Sequence, residues 1–200
     1  MTVETMSRSR PVSPLASATS RFEALPAGVQ VRELPLLVQL DLRLDPNGPA
    51  GVAVAEVLGV AVPQRPCTAV TAGDVSVLWL GPDEWLVRSA MTHDATRTAP
   101  LQAALGTAFA GVFASAVDIG SGYTVLEISG TRTREVLSRG CPLDLHPKLF
   151  GEGQCAQSHY FKASITLVPT GADSFDIVVR RSFADYFVKI MLDAAEPLMS

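Results

Sequence analysis

The stretch Val75-Ser-Val-Leu-Trp-Leu-Gly-Pro-Asp-Glu-Trp-Leu-Val-Arg88 limits what this chain can fold into more than any other. It carries both tryptophans, one on either side of Gly81-Pro82-Asp83-Glu84. Pro82 followed by two acids is one way to begin a helix. The aromatic and β-branched bias of Trp85-Leu86-Val87, and the shortness of the run, favour a strand instead. We therefore expect a hairpin. With a two-residue turn, Leu80 faces Trp85 and Trp79 faces Leu86, and a period of two sends the tryptophans to opposite faces of the sheet. Each ring can bury on the order of 200 Å², worth roughly 5 kcal/mol before entropy. A sheet this apolar on both faces needs a cover on both, one from its own helices and the other from a second layer or a partner protein.

Around the hairpin, 200 residues that are 48% apolar supply a core for one large domain or two small ones sharing it. Alternation from Leu36 to Leu44 predicts a half-buried strand. Asp45-Pro46-Asn47-Gly48 ends it, and Pro49 opens a helix that carries Val52, Val57 and Val60 and stops before Pro63. A strand near Thr68 to Thr71 leads into the hairpin, Thr92 to Thr98 reads as a polar loop, and Leu101, Leu105 and Phe109 share a helix face. The grammar then recurs. Strands are expected at Ala116 to Ile119 and Tyr123 to Ile128, then a helix through Val136 and Leu137 closed by Gly140, then an ordered loop from Cys141 to Gly153. Strands at about 156–168 and 175–180 follow. The last helix has Ser182 and Asp185 as a capping box and Phe183, Phe187, Ile190 and Ala194 on one face. This pattern predicts an α+β fold of two ferredoxin-like βαββαβ-type halves packed together. Residues 1–28 read as a flexible tail, 29–112 as the first half and 113–200 as the second, forming one compact unit.

A net charge of −4 and the lack of a basic block argue against a nucleic-acid partner. The longest apolar stretch, Ala50 to Val62, is too short to cross a bilayer. Three scattered cysteines, Cys67, Cys141 and Cys155, suit a reducing cytoplasm. Candidate chemistry is sparse. Asp83 and Glu84 are neighbours on a turn and point apart, which makes them turn residues and not an acid/base dyad. Cys141, His146, Cys155 and His159 are spaced unlike any usual zinc set, and the cysteines read as small buried apolar residues. Ser182 is placed as a helix cap, not a nucleophile, and Gly120-Ser121-Gly122 as a strand-linking turn, not a phosphate cradle. Arg180-Arg181 sits where a strand hands over to a helix start. That place attracts a carboxylate or phosphate, or holds a plain surface pair. From the residues alone, no catalytic, cofactor-binding or metal-binding constellation assembles.

Four motifs in order carry a family likeness: Leu78-Trp-Leu-Gly-Pro-Asp-Glu-Trp-Leu-Val87, Gly140-Cys-Pro-Leu-Asp-Leu-His-Pro147, Gly153-Gln-Cys-Ala-Gln157 and Val179-Arg-Arg-Ser-Phe-Ala-Asp-Tyr186. From about Leu34 to Ala195 the chain resembles the gamma subunits of heterotetrameric sarcosine oxidase. The resemblance implies a fold like that of the folate-binding aminomethyltransferases. It implies a cytoplasmic complex that oxidises sarcosine to glycine with O₂, giving H₂O₂ and passing the methyl carbon to tetrahydrofolate. FAD, FMN, NAD, tetrahydrofolate and zinc are then expected in the partner alpha, beta and delta subunits and none in this chain, whose part is structural assembly. The folate-binding relatives use an Asp after a Gly-Gly segment and an Asn after the next strand. Here Phe161-Lys-Ala-Ser-Ile-Thr-Leu-Val168 has neither glycines nor acid, and Arg180-Arg181 stand at the Asn position. The alternative, a stand-alone folate-binding one-carbon transferase, requires Asp118, Glu127 or Asp176 to replace that acid. Trp79, Pro82, Trp85, Arg180 and Arg181 are the expected subunit-interface residues.

Overall fold

The structure is a computed structural model and describes residues 12–23, 25–34, 36–92 and 95–198. The first part of the chain forms α1 (Thr19–Phe22), β1 (Gln30–Leu34), β2 (Leu37–Arg43), α2 (Pro49–Leu58), β3 (Ala69–Ala72), β4 (Val75–Gly81), β5 (Glu84–Thr92) and α3 (Ala95–Ala108). The second part forms β6 (Ser115–Asp118), β7 (Tyr123–Ser129), α4 (Thr133–Ser138), β8 (Ala156–Tyr160), β9 (Ala163–Gly171), β10 (Ser174–Arg180) and α5 (Ala184–Ala195).

The strands build two antiparallel sheets, ordered β3-β4-β5-β2-β6 and β1-β7-β10-β9-β8. In the first sheet β2, β4, β5 and β6 take the four ferredoxin-like places, with α2 and α3 in the crossovers and β3 added outside β4. In the second, β7, β9 and β10 take the first three places and β8 is the added edge. The fourth place is filled from the amino-terminal side by β1, which pairs Gln30 with Ser129 through Leu34 with Val125. The α+β class with two ferredoxin-like sheets is what the sequence led us to expect.

The boundary at 112/113 is different. It is crossed in both directions, because β1 belongs to the second sheet and β6 to the first. Nor are residues 12–28 a flexible tail. Leu15, Ala18 and Val29 are buried in the helix-side core of the second sheet, and the Ser13 hydroxyl donates to Glu33. Two buried anchors, Leu15 and Ala18, in a Ser/Thr/Arg/Pro background are too few to show a period, yet with Val29 just beyond them they dock the segment. Residues 1–11 of the expected tail lie outside the described residues.

Each sheet has a helix-side core. Val38, Leu40, Leu42, Val77 and Val87 meet Val54, Leu58, Leu105 and Phe109 on one sheet; Leu126, Ile177 and Val179 meet Val136, Leu137, Phe187 and Met191 on the other. The two remaining faces pack on each other through Leu78 and Leu86 against Val125, Val168 and Val178. The layers therefore run helices, sheet, sheet, helices. The added strands join the sheets at their edges: Ala69 N–H donates to Gly153 at 2.9 Å and Cys155 N–H to Cys67 at 3.0 Å.

Local departures have local causes. The expected loop at Thr92 to Thr98 gives way at Ala95 to α3, which accommodates Pro100 within it. The run 156–168 is two strands, because Phe161 takes φ 49° and folds β8 back on β9. The capping box at Ser182 does not form. A 3-10 turn over Arg181–Phe183 precedes α5, and Asp185 instead reaches Lys189 at 2.6 Å and Arg21 at 3.7 Å. The buried face of α5 is accordingly Ala184, Phe187, Val188, Met191 and Ala195, which leaves Phe183 40% exposed. On α2 the inner face is Ala50, Gly51, Val54 and Leu58, while Val52 points outward. A Cβ at Gly51 would stand 2.2 Å from the Pro46 carbonyl oxygen, so only glycine lets the helix start so close to the preceding turn.

Candidate functional site

β4 and β5 form the expected hairpin about Pro82-Asp83, with Gly81 opposite Glu84. The next pair is Trp79 opposite Trp85, because Leu80 is an extra residue with no partner of its own. A bulge of this kind places two residues against one and inverts the phase of everything beyond it. The tryptophans are therefore on the same face, not opposite ones, and both join the helix-side core of the first sheet. Trp85 is fully buried and its indole N–H donates to the Pro63 carbonyl at 2.8 Å. Trp79 is half-buried. Trp85 thus leaves the interface set, whereas Pro82 stands exposed at the hairpin tip. The second face of the hairpin is covered from within by the other sheet. The bulged Leu80 packs there, and its carbonyl accepts a bond from Gln157 Nε2 at 2.7 Å.

Between the sheets lies a small polar layer whose pairing sequence inspection did not foresee. Arg88 from β5 donates to Asp176 from β10, with side chains only 9% and 7% exposed. Gln39 lies directly across the ladder from Arg88, and Gln39 Oε1, Arg88 Nε and Arg88 Nη1 are buried without a hydrogen-bond partner among the described residues. Opposite charges brought together by strands so far apart in sequence leave no local pattern to read.

Arg180 and Arg181 are exposed but do not converge on one site. The Arg180 guanidinium lies 6.0 Å from the Tyr123 ring, beside a groove of about 410 Å³ that includes Gln157, His159 and Thr166. Arg181 turns away and donates to the Val12 carbonyl at 2.9 Å, fastening the amino-terminal segment.

The three acids that could replace a folate-binding carboxylate are each engaged. Asp118 accepts from the Gly120 N–H at 2.9 Å, Glu127 takes two bonds from Arg32 at 2.8 Å each, and Asp176 is held by Arg88. The residues of the imagined zinc set are likewise apart. Cys141 lies in the helix-side core of the second sheet, 3.6 Å from the Ser158 hydroxyl. Cys155 lies in the inter-sheet cluster, its thiol against the carbonyls of Thr68 and Trp79 at 3.3 and 3.4 Å. Burial pushes the Cys155 thiol up to about 11, so it stays protonated and unreactive at neutral pH. Among the described residues no group of three His, Cys, Asp or Glu side chains is arranged to hold a metal.

Comparison with known proteins agrees with the fold. The family model described as "Sarcosine oxidase, gamma subunit family" matches residues 43–196. The sarcosine oxidase subunit gamma of Corynebacterium sp. (strain P-1) is 35% identical over 197 residues, covering 96% of this chain and 92% of that one. A solved chain of the heterotetrameric sarcosine oxidase from Corynebacterium sp. U-96, in complex with pyrrole 2-carboxylate, superposes with a TM-score of 0.87 at 29% identity, covering 95% of this chain and 97% of its own. The glycine cleavage system aminomethyltransferase T from Bartonella henselae superposes with a TM-score of 0.62 over 86% of this chain and 48% of that one. At 11% identity this last likeness is one of fold alone.

Proposed function

The chain belongs to the sarcosine oxidase gamma subunit family, and we propose from that premise that it holds an enzyme complex together and performs no chemistry itself. It is a gamma subunit of heterotetrameric sarcosine oxidase. The observation that supports the assembly role is the engagement of Asp118, Glu127 and Asp176 by structural partners, so that none of the three acids able to replace the folate-binding carboxylate is free to do so. Its partners in this reading are the alpha, beta and delta subunits. They carry the FAD, FMN, NAD, tetrahydrofolate and zinc that oxidise sarcosine and collect its methyl carbon. The complex works in the cytoplasm, and no helix among the described residues is long and apolar enough to cross a membrane. Pro82 at the hairpin tip, half-buried Trp79, and the exposed Arg180 and Arg181 are the residues offered to partners.

The test is co-expression of the four subunits with and without this chain. Omitting it is expected to lower the yield of assembled, sarcosine-oxidising complex at least tenfold. A fully assembled, fully active complex of the other three subunits would overturn the assembly role.

A further inference from the structure

A second surface near the hairpin tip has the character of a docking site. The loop between α3 and β6 leaves the Phe113 ring fully exposed, and Val117 on β6 is 49% exposed. Phe113 borders a cleft of about 640 Å³ whose apolar wall is Leu44, Pro49, Ala50 and Val112. That volume admits one or two large side chains. A phenylalanine left in water beside an apolar cleft forgoes the burial that its ring would gain in a contact, which marks a contact surface better than a scattered surface valine does.

The charges on the rim indicate what fits. Arg43 is the one cation among the lining residues, and it is already paired with Glu84 at 2.8 Å and Asp41 at 3.4 Å. Asp45 and Asp83 are the other charged lining residues, and among the described residues neither forms an ion pair. Asp45 is partly satisfied by the Asn47 N–H at 2.9 Å, whereas Asp83 sits at the exposed hairpin tip. The rim is thus net acidic: Asp45 and Asp83 line it, and its single guanidinium is already engaged by Asp41 and Glu84 beside the cleft. A second copy of this chain meeting the cleft about a twofold axis would bring the same acidic rim against itself, which like-charge repulsion disfavours.

We propose that this cleft receives another subunit of the complex through one large apolar side chain flanked by a lysine or arginine. The apolar group packs on Phe113 and the cation meets Asp83. The proposal rests on the gamma-subunit reading and specifies its interface.

A photo-crosslinking amino acid at position 113, in the full four-subunit complex, tests it directly. The crosslink is expected on an apolar segment of a different subunit that carries a lysine or arginine. Phe113→Asp and Asp83→Lys are each expected to weaken recruitment into the complex about tenfold or more. Both variants should keep the wild-type melting temperature as isolated chains, since neither side chain is buried in the core. A crosslink to a second copy of this chain, a crosslinked segment with no basic residue, or wild-type recruitment of Phe113→Asp would overturn it. Failure of the unmodified chain to join the complex at all would instead refute the gamma-subunit reading.

Discussion

Arg88 and Asp176 meet between the sheets with nine-tenths of each side chain out of water. Taking two charges out of water costs several kcal/mol apiece, which their attraction returns only while both are present. Asp176→Asn leaves the guanidinium buried and unmatched, so we expect it to lower stability by about 3–5 kcal/mol in urea unfolding. The double variant Arg88→Met, Asp176→Leu fills the same space without charge and is expected to recover most of that loss. Equal effects of the single and double changes would mean that the pair contributes nothing as a pair. Nothing in the sequence announces it. Asp176 enters the sequence reading only as a candidate for the missing folate-binding acid, and Arg88 only as the end of the hairpin stretch.

The hairpin shows how far an element can be read from its residues. Its existence, its turn at Pro82-Asp83 and the strand nature of Trp85-Leu86-Val87 are legible, because turn chemistry and β-propensity are local. Its phase is not, since counting by twos assumes an unbroken ladder and one bulged residue, Leu80, reverses the outcome. The bulge makes the two tryptophans unequal in a measurable way. Trp85→Phe loses the indole bond to Pro63 and leaves space in a closed core, for an expected cost of about 2–3 kcal/mol. Trp79→Phe, at a half-buried position, is expected to cost about 1 kcal/mol or less. Chemical denaturation of the two variants checks the ranking, and the reverse order would put the wrong ring in the core. Phe113 belongs with what could not be read. A single aromatic in a loop has no period, and only the fold shows that no described residue covers it.

At the scale of the molecule, the two-sheet α+β plan was legible because helix and strand periods repeat twice along the chain, and four motifs added the family likeness. The exchange of edge strands was not, since a strand's alternation says which face is apolar and not which sheet it will join. That exchange has a mechanical consequence. Residues 113–200 alone lack β1 and leave the edge of β7 unpaired; residues 29–112 alone lack β6 and leave β2 open. The inter-sheet cluster and the Arg88–Asp176 pair tie the halves again. We therefore expect one cooperative transition for the whole chain. Two probes make the test clean, because both tryptophans lie in the first sheet while far-ultraviolet circular dichroism reports on both sheets and all the helices. Tryptophan fluorescence and dichroism should give coincident urea curves, as two-state unfolding requires. Separate midpoints, with fluorescence changing apart from dichroism, would mean that each sheet folds on its own despite the exchanged strands.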